Sequence, residues 1–177
     1  MIVFTAARLY TPLEEIGDPL LFVQDGTVTK VSSRAQSETP QGASLVDFGN
    51  AILAPGFVDI HMHGGTGVDV MQASPADLAR LGTWLTNNGV TGYFPTTVAA
   101  PIDQTCASLE RIADVIEATR DSTATNDKKP QARPLGIHLE GPFLSHKRRG
   151  VHPPEYLAQP TLEVLSVSGR LRADTFA

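Results

Sequence analysis

With 177 residues, 41% of them hydrophobic and 19% charged, the chain has the composition of a soluble globular protein, which excludes a disordered or fibrous one. Its length suits one ordinary domain, or a small domain joined to part of a larger one, and a formal net charge of −5 argues against nucleic acid, whose phosphates need clustered Lys and Arg. No run approaches the ~20 apolar residues of a membrane span, MIVFTAARLY lacks the marks of a signal peptide, and the single Cys106 cannot form an internal disulfide, so a cytoplasmic protein without a membrane partner is expected.

The first fifty residues carry short β-type runs, IVFT, LLFVQ, TVTKV and SLVDF, separated by turn residues. Between the second and third, Asp25-Gly26 supplies the positive φ angles of a two-residue type I′ hairpin. A small antiparallel module over residues 1–54 is predicted, with Ser32 to Gly42 as a polar loop.

After Pro55 the rhythm becomes strand, helix, strand, helix, strand. FVDIH reads as a strand; SPADLARLGTWLTNNG reads as a helix with Ser74 as N-cap, Pro75 at its first position and Leu78, Leu81 and Leu85 on one face, ended by Gly89. TGYFPTTV is a second strand. Ile102, Cys106, Leu109, Ile112 and Ile116 recur at helical spacing and predict a second helix from about Pro101 to Thr119. RDSTATNDKKPQAR is a connecting loop and PLGIHLE a third strand. A short helix from Thr161 to about Val167 and the start of a fourth strand in SGRLRADTF complete the reading. Strands alternating with helices imply parallel βαβ units.

Side chains alternate along a strand, so Asp59, His61 and His63 share one face of the first of these strands, and Gly136, His138 and Glu140 one face of the third. Two imidazoles at the end of an apolar strand, before the glycines Gly64, Gly65 and Gly67, suit a metal site better than a surface. A carboxylate facing an interior is costly unless a cation or hydrogen bonds compensate it, which points to Glu140 as an oxygen ligand. The alternative is a buried Glu paired with a Lys or Arg. Two nitrogens and a carboxylate fit zinc or a similar divalent metal with a position open for water. His138 and Asp59 lie deeper on the same face, as orienting groups or as interior packing. His152, in RRGVHPP, either meets a substrate hydroxyl or sits in water, and the HKRR run beside it reads as a solvated basic loop.

The words APGFVDIHMHGG, TGYFPTT and GIHLEGPFLSHKRRGVHPPEYL resemble the amidohydrolase superfamily and, within it, the N-acetylglucosamine-6-phosphate deacetylases, in order and character over essentially the whole chain. The resemblance implies an α/β fold in which residues 1–54 form part of a small β-sandwich and residues 55–177 the first three to four strands of a TIM-like (β/α) barrel. It implies hydrolysis of the acetamide of N-acetylglucosamine 6-phosphate, a phosphorylated amino sugar, to glucosamine 6-phosphate and acetate. It also implies metal ligation by Glu140, His61 and His63, sugar contacts at Val151 and His152, and a homodimer for the intact family. The family pattern continues through later strands that bring two more histidine ligands and a catalytic Asp, and these are not in this chain. The isolated polypeptide is therefore expected to be inactive. Two other readings stay open: an amidohydrolase acting on a cyclic amide or N-acyl amino acid, and a non-catalytic remnant or half of a split enzyme.

Overall fold

The computed structural model describes residues 1–121, 130–162 and 164 of a mixed α/β chain. Two compact units divide it, Met1–Pro55 and Gly56–Ala177. Strands β1 (Ile2–Thr5), β2 (Arg8–Tyr10), β3 (Glu15–Gly17), β4 (Pro19–Gln24), β5 (Thr27–Ser33), β6 (Ser44–Asp47) and β7 (Ile52–Leu53) make up the first unit.

Its four-stranded sheet runs β5-β4-β1-β6, and a three-stranded sheet runs β3-β2-β7. The hairpin forms where Asp-Gly predicts it: Asp25 and Gly26 have φ of 51° and 75°, and Gln24 pairs with Thr27. The module is not purely antiparallel, however, because β6 pairs parallel to β1 and β7 parallel to β2. The connection after β5 carries the chain to the far side of β1, and β6 enters there in the same direction. The short strands β2, β3 and β7 escape the sequence reading because two or three residues carry too little alternation to register. Val3, Leu20 and Phe22 form the core of this unit.

In the second unit, β8 (Phe57–Met62) leads into a tight hairpin of β9 (Gly64–Gly65) and β10 (Val68–Asp69), followed by α1 (Pro75–Thr86), β11 (Val90–Pro95), α2 (Ile102–Asp121) and β12 (Arg133–Pro134). The sheet order is β12-β11-β8 with both pairings parallel, as the strand and helix alternation predicts. Helix α1 begins in a full capping box. The backbone N–H of Asp77 donates to Ser74 Oγ at 3.2 Å and that of Ser74 to Asp77 Oδ2 at 3.1 Å, so two otherwise orphaned donors are satisfied. The Ser74 hydroxyl, donating to Asp77 Oδ2 at 2.7 Å, and then the Ser74 N–H hold the Asp77 carboxyl below its usual range. Leu78, Leu81 and Leu85 from α1 and Leu109, Ile112 and Ile116 from α2 join Tyr93 and Ile137 in one buried core.

The third strand departs from expectation. Regular pairing covers only Arg133–Pro134 and resumes as a single bridge between Thr96 and His138. Pro95, opposite the gap, has no N–H for the ladder. The direction of the chain survives, since Leu135 N–H donates to Tyr93 O and His138 N–H to Pro95 O. Along the outer edge of β8 the described residues supply no pairing strand, and Phe57, Val58 and Ile60 are largely exposed. Of the expected helix from Thr161, Thr161, Leu162 and Val164 are described, the last two in helical conformation; the rest of it and the strand SGRLRADTF lie outside the described residues, as does most of the loop following α2. No helix among the described residues is long and apolar enough to cross a membrane.

Tyr93 is fully buried, and its hydroxyl finds no hydrogen-bond partner in the described structure. Burial pushes its pKa up to about 12. The folded form thus keeps a proton that the unfolded chain releases near pH 10, so this contribution to stability is intact below pH 10 and is lost as pH rises toward 12. Tyr93→Phe removes the unpaired hydroxyl; the expected result is unchanged or higher stability at pH 7 and a smaller loss on moving to pH 11, by roughly 1 kcal/mol, read from urea midpoints at the two pH values.

Candidate metal centre

His61 lies near the end of β8 and His63 just beyond it, on the face that period-two alternation assigns them. The hairpin that follows positions the second imidazole. Thr66 and Gly67 both have positive φ, 49° and 79°, making a type I′ connection between Gly65 and Val68. The chain then returns so that Val70 N–H donates to the carbonyl of His63 at 2.9 Å. Gly64 is required here: its φ is 140°, and a β-carbon would collide with the Val68 carbonyl oxygen.

Three ligand atoms converge. His61 Nε2 and His63 Nε2 are 3.0 Å apart, and Glu140 Oε2 lies 3.6 Å from the first and 3.1 Å from the second. Their side chains are 45%, 41% and 27% exposed, so the group opens toward solvent. Among the described residues this is the one set of three that could hold a metal ion.

The tautomers test the fit. His63 Nδ1 is 3.1 Å from the carbonyl oxygen of Thr96, which can only accept, so Nδ1 carries the proton and neutral His63 turns an Nε2 lone pair toward the carboxylate. A lone pair facing a carboxylate oxygen at 3.1 Å is repulsive unless a cation or proton lies between them. Ligands ~2.1 Å from a tetrahedral zinc ion stand about 3.4 Å apart, and the observed separations of 3.0, 3.1 and 3.6 Å bracket that value. The residues present therefore suit a small divalent cation.

Sequence reasoning did not single out Thr96, which is fully buried beyond β11. Its Oγ1 accepts from the Met62 N–H at 2.9 Å, its N–H donates to Met62 O at 2.8 Å, and its carbonyl orients His63. It ties the strand bearing the histidines to the one beside it. The paired threonines of TGYFPTTV, polar at the end of an apolar strand, were the available signal.

The other predicted residues divide. His152 is 4% exposed, which overturns a solvated loop histidine, and its Nε2 sits 3.4 Å from Glu140 Oε2. Val151 is 90% exposed and is not in the cluster. Asp59 folds back on its own strand, where Oδ1 accepts from the His61 N–H at 3.0 Å. The ring of His138 meets that of His61 edge-on, centroids 4.9 Å apart, and its buried Nδ1 has no partner among the described residues. His146, Lys147 and Arg148 form an exposed helical turn, as a solvated basic loop requires. Beside Glu140 lies a cleft of about 490 Å³, lined by apolar groups such as Val98, Leu139 and Tyr156, with Glu140 and Glu155 as its charged members. Among the described residues that line it there is no cation for a phosphate.

No protein-family model matches the sequence. The chain is 35% identical over 153 residues to N-acetylgalactosamine-6-phosphate deacetylase of Escherichia coli O157:H7 and 31% identical over 156 residues to N-acetylglucosamine-6-phosphate deacetylase of Bacillus subtilis. These alignments take in 86% and 88% of this chain but 36% and 38% of the relatives. Among solved structures, the crystal structure of N-acetyl-D-glucosamine-6-phosphate deacetylase from Mycobacterium smegmatis matches with a TM-score of 0.78 at 25% identity, over 99% of this chain and 45% of that one. A substituted form of the same protein in complex with N-acetyl-D-glucosamine-6-phosphate matches with a TM-score of 0.72 at 26% identity, over 96% and 41%. The resemblance read from the sequence words is borne out, and the chain spans between a third and a half of the length of the proteins it matches.

Proposed function

We propose that this chain carries the metal-binding part of an amidohydrolase that cleaves the acetamide of N-acetylglucosamine 6-phosphate to give glucosamine 6-phosphate and acetate. The observation that carries the reading is the convergence of His61 Nε2, His63 Nε2 and Glu140 Oε2 at strand ends, in a chain similar to deacetylases of amino-sugar phosphates. Two imidazoles and a carboxylate favour zinc. When bound, the ion supplies Lewis acidity toward a carbonyl oxygen and lowers the pKa of water. Glu140, His61 and His63 would hold it, and His152 presents a hydrogen-bond donor beside it for the sugar. On this reading residues 55–177 are the first strands of a TIM-like barrel and residues 1–54 part of a sandwich, which the parallel β12-β11-β8 order with intervening helices supports.

Among the described residues no second carboxylate joins the cluster, so a general acid/base must come from elsewhere. That term is typically worth ~10² to 10⁴ in rate. The similarity to the galactosamine deacetylase favours a second substrate, the C4 epimer N-acetylgalactosamine 6-phosphate. The test is titration of the zinc-loaded chain with both sugar phosphates, reading binding by calorimetry and acetate by a coupled assay. Saturable binding of one epimer, lost in Glu140→Ala, with acetate release at least ~10²-fold slower than from a full-length relative, is expected. A folded, zinc-loaded chain that binds neither sugar phosphate would sink the reading.

A further inference from the structure

The two imidazoles of the centre are held by different means. His63 is aimed by a hydrogen bond, from its Nδ1–H to the Thr96 carbonyl at 3.1 Å. His61 has no such bond. Among the described residues its ring meets polar groups only through Nε2, and Asp59, on the same strand face, gives its Oδ1 to the His61 backbone N–H rather than to the ring. The side chain is 45% exposed. Were it loose, it would have to be immobilised on taking up a cation, which weakens binding by about 2- to 10-fold.

What touches the His61 ring is aromatic. The His63 ring stands with its centroid 4.7 Å away at 87°, and the His138 ring 4.9 Å away at 68°, both near the edge-to-face arrangement that ring quadrupoles favour. His63 belongs to the ligand set, so the contact from outside it is His138. The backbone of His138 is clamped: its N–H donates to Pro95 O and its carbonyl accepts from Thr97 N–H, both at 3.0 Å. Between those residues, Thr96 is bonded twice to Met62, the neighbour of His61. The segments bearing His61 and His138 thus flank β11, about 10 Å apart at ordinary strand spacing, and their rings meet by leaning toward each other over it. Neither nitrogen of His138 makes a hydrogen bond among the described residues, and Nδ1 is buried. What His138 offers His61 is the ring itself.

We infer that His138 is a positioning residue for His61: its clamped ring, packed edge-on, holds the His61 imidazole with Nε2 toward Glu140 Oε2, as the Thr96 carbonyl holds His63. This rests on the metal reading above for its consequence, though not for its geometry.

Two measurements separate the inference from that reading. In the metal-free chain, carbon–proton spectra of the histidine rings, assigned by the peaks lost in His61→Gln and His138→Phe, should show cross-relaxation between the ring protons of His61 and His138. His138→Ala should move the His61 ring signals toward those of a freely rotating histidine and leave those of His63 in place, whereas His138→Phe, which keeps a ring, should leave His61 ordered. Should His138→Ala lose the native amide spectrum, His138→Leu, which fills the space without a ring edge, takes its place. Missing cross-relaxation, His61 signals unchanged by the loss of the ring, or His61 equally disordered in His138→Phe overturns the inference whether or not the chain takes up metal. Zinc titration then reads the consequence: His138→Ala should weaken affinity by about 3- to 10-fold, with His138→Phe recovering most of it. Equal affinity in wild type and His138→Ala, or a His138→Phe chain as weak as His138→Ala, also overturns it. A chain that binds no zinc but shows His61 ordered by the His138 ring would refute the metal centre and support the positioning of His61.

Discussion

Glu140→Ala is expected to lower zinc affinity by at least about 100-fold while leaving the chain folded. Structural zinc sites gain ~10 to 16 kcal/mol in total, so one ligand of four carries about 3 kcal/mol, which is two factors of ten. Glu140 has a particular weight among the ligands, because it brings the only negative charge, and His61 and His63 both measure their approach against its Oε2. The fold does not depend on it: the side chain is 27% exposed, and the side chains its Oε2 approaches are those of the three histidines. Competition against a chromophoric chelator gives the affinity, and far-ultraviolet circular dichroism checks the fold. Affinity within threefold of wild type would remove Glu140 from the centre.

Leu81→Ala carries the other large expected effect, a loss of about 2 to 5 kcal/mol. Leu81 is fully buried on the inward face of α1 within the main core, and truncation removes its branch carbon and two methyl groups from a close-packed site. The damage reaches the metal centre. A β-carbon on Gly65 would lie 3.6 Å from Leu81 Cδ1, so the leucine supports the hairpin whose return strand holds the carbonyl of His63. Urea unfolding should show a lower midpoint at similar slope, together with weaker zinc binding. A midpoint unchanged from wild type would mean that α1 does not pack as described.

Where the fold was legible, local chemistry and tertiary packing agreed. Ser74, Pro75 and the leucines of α1 each state the same helix, and Asp25-Gly26 states its own turn. What the sequence concealed was pairing between distant segments. Nothing in SLVDF says that it lies parallel to IVFT, and the break in the third strand falls opposite Pro95, on a different strand. The centre shows the same division. Alternation placed His61, His63 and Glu140 on the correct faces, because period two is a local rule. Backbone partners are invisible to such a rule, so the Thr96 carbonyl, which sets the proton position on His63, emerged only with the fold.

The hairpin after His63 has an optical consequence. Trp84, the only tryptophan in the chain, lies on α1 so close to Gly65 that a β-carbon there would come within 3.2 Å of its Cζ3. Its ring is partly exposed, and no second indole competes with its emission. The protein thus contains its own fluorophore packed against Gly65, which stands two residues after a metal ligand. Loading the centre with a paramagnetic or absorbing ion should quench intrinsic fluorescence, so cation affinity and the order of this turn can be followed in unlabelled protein at low concentration.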